Sequence, residues 1–175
     1  CDGMAEFQVR TEGVLLYGAH PSDVDQPYDW HHWGSRQTMA LAKAARILKD
    51  HPNRDKWLES ARLEADTFFT LLLSSHIPEA ISGAAAKFYP QIAYGTNTLV
   101  LGSLELYRAT GEEKYKKMAL KAFSWYLGDN PPKVKMYDEK TGRCFDGIID
   151  ADKVNRNSGA ESTIEALLAI EELRR

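Results

Sequence analysis

Two stretches of this 175-residue chain repeat one pattern, 58 positions apart. Leu48 aligns with Leu106, and Trp57 aligns with Tyr115. In each copy, apolar residues at helical spacing run up to a tight turn and then resume after it, which predicts two helices joined by a short connection. A single pair of this kind cannot bury its apolar faces and has to stack on a neighbouring pair. The repeat therefore predicts stacked antiparallel helix hairpins, with an ordinary helical bundle as the alternative.

The apolar spacing and its Gly, Pro and Asn breaks predict five helices in an all-α fold. They are Ser35–Asp50 and Asp55–Ser74 in the first hairpin, Thr96–Ala109 and Glu112–Leu127 in the second, and Ala160–Arg175 at the end. In this last helix Ile164, Leu167, Leu168 and Leu173 share a helical spacing. Stacked hairpins with open ends would leave an apolar flank on their last helix, so we expect it to pack against a partner, either another chain or another segment of the protein. Short β-hairpins are expected in the loops, one of them around Glu139–Gly142.

A loop rich in Asp and Asn leads into the last predicted helix. Ser158 is a candidate N-cap and Glu161 follows three residues later, which is the capping-box pattern. Polar side chains are thereby delivered to the positive end of a helix, where a sugar, a carboxylate or an oxyanion is readily held. The alternative is an ordinary capped helix behind a surface loop.

Charge and cysteine content exclude several kinds of protein. The formal net charge is −3 with no basic block, so neither nucleic acid nor an anionic membrane surface is an expected partner. Two cysteines form neither a disulfide framework nor a zinc site, and the adjacent His31 and His32 do not point the same way. We expect no metal, no cofactor, no membrane-spanning segment and a cytoplasmic location.

Two parts of the sequence resemble a known family. The run TGEEKYKKMALKAFSWYLGDNP, residues 110–131, and the tail with CFDG and VNRNSGAEST, residues 144–163, are similar to six-hairpin glycosidase-like domains. The resemblance implies an (α/α)6 toroid. A complete toroid has six hairpins, so residues 1–175 are expected to be a single toroid-like domain that supplies about half of one. The remainder would come from a missing N-terminal half or from a homo-oligomer.

The resemblance also implies a function in carbohydrate metabolism. The expected activity is that of a glycoside hydrolase acting on an oligo- or polysaccharide in a cleft at the toroid rim. The alternative is a non-catalytic helical domain, associated with a glycosyltransferase, that binds carbohydrate or serves as a scaffold. The expected ligand is a carbohydrate for the hydrolase, and a carbohydrate or a protein for the non-catalytic domain.

The loops before the inner helices would then line the cleft. The candidate catalytic carboxylates are Asp146, Glu161 and Asp29, with Asp146 preferred because its neighbour Gly147 leaves room for a ligand. Aromatic faces stack on sugar rings and amides bind hydroxyl pairs, so the candidate substrate-binding residues are Trp30, His31, His32, Trp33, Tyr94, Asn97, Asn155 and Asn157. Each also has a structural alternative, such as capping for Glu161, a turn for Asp146 and core packing for the tryptophans.

Overall fold

The computed structural model describes all residues from 1 to 175 and shows a mixed helical and β architecture. Helices hold 50% of the residues and strands hold 14%, the latter in three small antiparallel sheets. The predicted all-α fold and (α/α)6 toroid are therefore wrong. Each strand is only two to four residues long. Strands of that length are too short for the two-residue alternation that would have marked them in the sequence.

Seven α-helical segments follow one another along the chain. They are α1 Asp2–Glu6, α2 Gln37–Ile47, α3 Arg54–Leu63, α4 Thr70–Ser74, α5 Ala93–Thr110, α6 Glu113–Phe123 and α7 Ala160–Arg174. A π-helical stretch, Glu64–Phe69, joins α3 to α4, so the seven segments make six continuous helices. The five predicted helices are all present, and α1 adds a sixth.

Helix α5 is the centre of the molecule. Thirteen of its 18 residues are buried, and α2, α6 and α7 all pack against it. Gly102 brings α5 close to Thr38 of α2 and to Phe69, because a Cβ at this position would lie only 3.1 to 3.2 Å from those side chains. A single hydrophobic cluster of 31 buried residues extends from Ala5 to Ala169 around this helix.

The two halves of the repeat pack alike. Trp57, at the start of α3, is 3% exposed, and Tyr115, at the start of α6, is fully buried. The Trp57 ring stacks on His51 at 4.3 Å, and the Tyr115 hydroxyl donates a hydrogen bond to Asp66. Helices α2 and α3 pack together, as do α5 and α6. The predicted helix pairs are confirmed, although they do not form a toroid.

The eight short strands form three separate sheets. The first contains β1 Asp29–His31, β2 Ala80–Ser82 and β3 Ala85–Lys87; the second contains β4 Gln91–Ile92, β7 Gly147–Asp150 and β8 Lys153–Asn155; the third contains β5 Tyr137–Asp138 and β6 Arg143–Cys144. The β5–β6 hairpin lies where the sequence predicts one. In the second sheet, β4 pairs antiparallel with β7 and so connects the start of α5 to the loop before α7.

Helix α7 lies with its apolar stripe outward. Ser162, Glu165, Ala166 and Ala169 are its buried residues. Ile164, Leu167 and Leu168 are 53%, 43% and 40% exposed, so this helix has an uncovered apolar flank. Polar contacts hold the inner face instead, and only Leu173 of the predicted apolar set packs against the core.

No helix of the structure combines the length and the apolar character needed to cross a lipid bilayer.

Candidate functional site

A pocket of about 310 Å³ lies where α5 and α7 begin, and we call it the rim pocket. Its lining residues are Ile92, Ala93, Tyr94, Asp146, Gly159, Ala160, Glu161 and Ser162. Three residues that were predicted from the sequence as site residues, Tyr94, Asp146 and Glu161, are therefore neighbours in space. The β4–β7 pairing produces this proximity, because Ile92 is opposite Gly147 and each strand leads directly to one side of the pocket.

Asp146 holds the first turn of α7. Its Oδ1 accepts a hydrogen bond from the Gly159 amide at 2.7 Å and another from the Ser162 hydroxyl at 2.6 Å. The N-cap residue is Gly159, and Ser158 makes no capping hydrogen bond. The second carboxylate oxygen, Oδ2, accepts no hydrogen bond from the protein. Asp146 thus combines a structural function with one free oxygen in the rim pocket.

Glu161 does not take part in a capping box. It is exposed, and its carboxylate makes neither a hydrogen bond nor an ion pair with the protein. Its side chain is therefore available to a ligand of the rim pocket.

Gly147 allows two strands of the second sheet to lie close together. A Cβ built on it would collide with the carbonyl oxygen of Gln91 in β4, so the space beside Gly147 is filled by the neighbouring strand. The absence of a side chain here allows β4 and β7 to pair closely. It does not create room for a ligand next to Asp146.

A buried cluster of charged and polar groups fixes the position of Tyr94. Arg36 Nη2 donates to both carboxylate oxygens of Glu165, at 2.8 and 2.9 Å, and Asn97 Nδ2 donates to Oε2. Arg36 Nε donates to the Tyr94 hydroxyl at 3.2 Å, and the guanidinium lies 4.8 Å from the centre of the Tyr94 ring. Arg36 therefore covers one face of this ring, and Tyr94 also lines the rim pocket.

Arg36 and Glu165 belong to the site but were not predicted from the sequence. They are 129 positions apart in the sequence, and neither belongs to a recognisable motif. In the sequence Glu165 lies between the apolar residues of α7, like the exposed Glu171, and nothing local distinguishes the two. The Glu165 side chain is nevertheless only 9% exposed.

Trp30 and His32 are core residues, and their side chains do not reach the surface. Both are fully buried, with Trp30 packed edge-on against Phe68 at 5.0 Å. The His32 ring lies against Gly95, and neither ring nitrogen makes a hydrogen bond of ordinary geometry. Burial lowers the pKa of His32 to about 3, and the Gly95 backbone offsets this only in part. His32 is therefore a neutral packing residue at physiological pH.

Asp29, His31 and Trp33 lie on the surface around β1 and the short 3-10 turn His32–Gly34. Trp33 is 51% exposed, and its ring meets that of His31 edge-to-face at 5.7 Å. Asp29 is half-buried and lies opposite Ser82 in the first sheet. None of the three lines the rim pocket.

The three asparagines have structural contacts. Asn97 is fully buried and holds Glu165, as described above. Asn155 Oδ1 accepts the amide of Asn157 at 3.1 Å, and the Asn157 carbonyl accepts the amide of Asp146 at 2.8 Å. Asn155 and Asn157 therefore shape the loop that brings Asp146 to α7.

Other groups of polar side chains lie outside the rim pocket. The His20 ring nitrogens lie within hydrogen-bond distance of Glu64 and Ser60 in the core, and a pocket of about 430 Å³ is lined by several basic residues, among them Arg46 and Arg108. No three His, Cys, Asp or Glu side chains lie together in a way that could hold a metal ion. Burial, followed by the charge of Asp146, raises the pKa of the Cys144 thiol to about 12, so this cysteine stays protonated. A cavity of about 420 Å³ near Trp125 is larger than the rim pocket, but its one carboxylate, Asp129, is paired with Lys121 at 2.6 Å.

Comparison with known proteins does not assign this chain to a family. No protein-family model matches the chain, and no curated protein matches it significantly. The function is therefore inferred from the rim pocket and from the Arg36, Asn97 and Glu165 cluster next to Tyr94.

Proposed function

We propose that this is a carbohydrate-active protein and that the rim pocket binds the sugar. One observation carries the proposal: an aromatic ring and two carboxylates, those of Tyr94, Asp146 and Glu161, line the same small pocket, and both carboxylates keep oxygens that accept no hydrogen bond from the protein. Pyranose rings stack their apolar faces on aromatic side chains, and carboxylates accept hydrogen bonds from pairs of sugar hydroxyls.

The surroundings of the pocket favour a polar, hydroxyl-rich ligand. Helix α7 presents its first turn to the pocket, and the amides of Ala160 and Glu161 have no acceptor within the helix. Such amides donate to ligand oxygens, while Asp146 Oδ2 and Glu161 accept from hydroxyl hydrogens. The hydroxyl groups of a sugar both donate and accept hydrogen bonds, so a sugar can pair with the amides and with the carboxylates of the pocket.

The presence of two carboxylates makes hydrolysis of a glycosidic bond the proposed reaction. Glycosidases hold the bond between two carboxyl groups, one of which protonates the leaving oxygen while the other remains ionised. Asp146 and Glu161 are the two carboxyl groups that line the rim pocket and would flank such a bond. Asp146 is held in place through its Oδ1, which accepts two hydrogen bonds, while Glu161 has no protein partner.

A second candidate is carbohydrate binding without catalysis. The observation that favours it is the capping contact of Asp146, since one oxygen of the preferred catalytic carboxylate is committed to holding α7. A binding domain needs only the Tyr94 ring and the free oxygens, with no movement of Asp146.

The two candidates are distinguished by measuring binding and hydrolysis on one panel of short oligosaccharides. Binding is followed by calorimetry and hydrolysis by release of reducing ends. For a hydrolase, Glu161→Gln abolishes release but retains binding, whereas the control Glu171→Gln, the same change at an exposed position on α7, alters neither. For a binding domain, no variant or wild-type protein releases reducing ends.

Tyr94 supplies the test common to both candidates. Tyr94→Ala is expected to weaken binding by about tenfold through loss of stacking, whereas Tyr94→Phe keeps the ring and binds nearly as well. Absence of both binding and hydrolysis across the panel would refute the carbohydrate proposal. Equal binding by the Ala and Phe variants would show that the sugar lies elsewhere.

A further inference from the structure

A groove of about 430 Å³ lies between α2, α5 and α7, and we call it the basic groove. Five cationic side chains and two carboxylates line it, in a chain whose formal net charge is −3. The cations are Arg36, Lys43, Arg46, Arg108 and Arg175. Positive charge is therefore concentrated on one concave surface of an otherwise acidic protein.

The two carboxylates of the groove already have partners. Glu105 is only 8% exposed, and its two oxygens accept hydrogen bonds from Arg46 and Arg108. Glu172 pairs with Arg108 at 2.7 Å and with Arg175 at 3.1 Å. Arg175 also pairs with a further glutamate of α7, so its charge is used within that helix. The cations with donors to spare are therefore those of α2.

Helix α2 presents three cationic groups that keep unpartnered nitrogens. Lys43 is exposed and makes neither a hydrogen bond nor an ion pair with the protein. Arg46 uses Nε and Nη2 on Glu105, and its Nη1 has no acceptor in the protein. Arg36 also leaves its Nη1 free. Because Lys43 and Arg46 are three positions apart on a helix, they are neighbours and can hold one anion together.

The middle of the groove is apolar. Arg36 and Arg46 are ten positions apart, which places them about 15 Å from each other along α2. Between these two levels the groove is lined by one apolar side chain from each helix, Met39, Leu101 and Leu168. A ligand that fits this surface has a charged group at one end and a carbon body beside it.

We propose that the basic groove binds a small organic phosphate. The phosphate lies between Lys43 and Arg46, and the carbon body lies on the apolar middle. A phosphate monoester carries up to two negative charges and three terminal oxygens, enough to pair with an ammonium group and a guanidinium group at once. No residue of the groove lines the rim pocket, so this site does not depend on the carbohydrate proposal.

Titration calorimetry with phenyl phosphate and with inorganic phosphate tests the site. Both are measured at one ionic strength, kept constant with sodium chloride, so that general screening does not change. Phenyl phosphate is expected to bind about tenfold more tightly than inorganic phosphate, because its ring covers part of the apolar middle. Equal affinities would overturn the assignment of an organic ligand and restrict the site to free phosphate.

Two variants test the residues assigned to the phosphate. Lys43→Gln should weaken phenyl phosphate binding about tenfold, since it removes a charged hydrogen bond. Arg46→Lys should weaken it similarly, because a single ammonium group cannot serve both Glu105 and the phosphate as the guanidinium fork does. The control Lys117→Gln makes the first change at another exposed lysine, on α6 and outside the groove, and should bind like the wild type.

Three results would each overturn the proposal. They are absence of binding by both phosphates at millimolar concentration, unchanged binding by Lys43→Gln, and an equal loss in Lys43→Gln and Lys117→Gln. Circular dichroism shows whether each variant is folded. Lys43 has no contact to lose in the protein, so Lys43→Gln should keep the wild-type spectrum and its affinity then reports on the ligand alone.

Discussion

Lowering the pH should destabilise the protein through His32. This ring is fully buried between Trp30 and Gly95, and burial lowers its pKa from 6.5 to about 3. In the unfolded chain the same imidazole is solvated and takes up a proton near its ordinary pKa. Between pH 6.5 and 3 the unfolded state therefore binds more protons than the folded state, and stability falls as the pH falls. Above pH 6.5 both states are neutral at this residue and no effect remains.

The magnitude follows from the separation of the two pKa values. Each pH unit within that window costs about 1.4 kcal/mol at full titration. Between pH 7 and pH 5 the His32 contribution to the free energy of unfolding should decrease by about 2 kcal/mol, and by pH 4 by about 3 kcal/mol. These are large fractions of the roughly 5–15 kcal/mol that stabilises a typical domain.

Urea unfolding at pH 7, 5 and 4 measures this loss, with His32→Gln as the matched variant. Glutamine at this position packs less well and lowers stability at every pH, but it does not titrate. All other ionisable groups are shared, so the difference between the two pH dependences isolates the imidazole. Wild type should lose about 2 kcal/mol more than the variant from pH 7 to pH 5. Parallel curves for the two proteins would refute the assignment of a neutral, buried His32.

Substitutions at three positions, each measured by urea unfolding at pH 7, test the contacts around the rim pocket. Asp146→Ala should cost about 1–2 kcal/mol by removing the cap of α7, whereas Asp146→Asn, whose amide oxygen can still accept, should cost less; equal costs would contradict the capping role. Glu165→Ala should cost about 2 kcal/mol or more, because Arg36 and Asn97 lose their buried acceptor, and an unchanged midpoint would show that Arg36 is satisfied by water. Gly147→Ala should cost about 2 kcal/mol or more, because its methyl group meets the Gln91 carbonyl, and a neutral result would mean that β4 and β7 separate easily.

The helices could be predicted from the sequence because their signals are local. Apolar spacing located α2, α3, α5 and α6, and the glycine at position 111 ends α5 in a left-handed conformation, φ 73°. The fold class could not be predicted in the same way. Whether helix pairs close into a toroid or pack around one central helix depends on contacts between distant segments, and α5 buries 13 of its 18 residues through such contacts.

The orientation of α7 has a physical reason. The amphipathic rule assumes that large apolar side chains face the core. Here Ala166 and Ala169 permit close approach to α5, and charged residues such as Glu165 find buried partners, so the leucines are left outside. Nothing within α7 itself indicates that Glu165 pairs with Arg36, which lies 129 positions earlier in the sequence.

Part of the candidate site could also be predicted. Residue type and loop position selected Tyr94, Asp146 and Glu161, which the β4–β7 pairing brings into one pocket. The same criteria selected Trp30 and His32, which are buried, because aromatic residues suit both a sugar site and a core. Burial, which separates these two uses, is a property of the folded chain and not of the local sequence.

The polar attachment of α7 has a consequence for the motions of the protein. Its inner face contributes two buried alanines and two ion pairs to other elements, Arg36 with Glu165 and Arg108 with Glu172. Partly exposed ion pairs contribute little and weaken as salt is added, so α7 should detach as a unit at a free energy well below that of global unfolding. Native-state hydrogen exchange should then show residues 160–174 exchanging before α5, and faster at high ionic strength. Because the first turn of α7 forms one wall of the rim pocket, each such opening also uncovers the pocket.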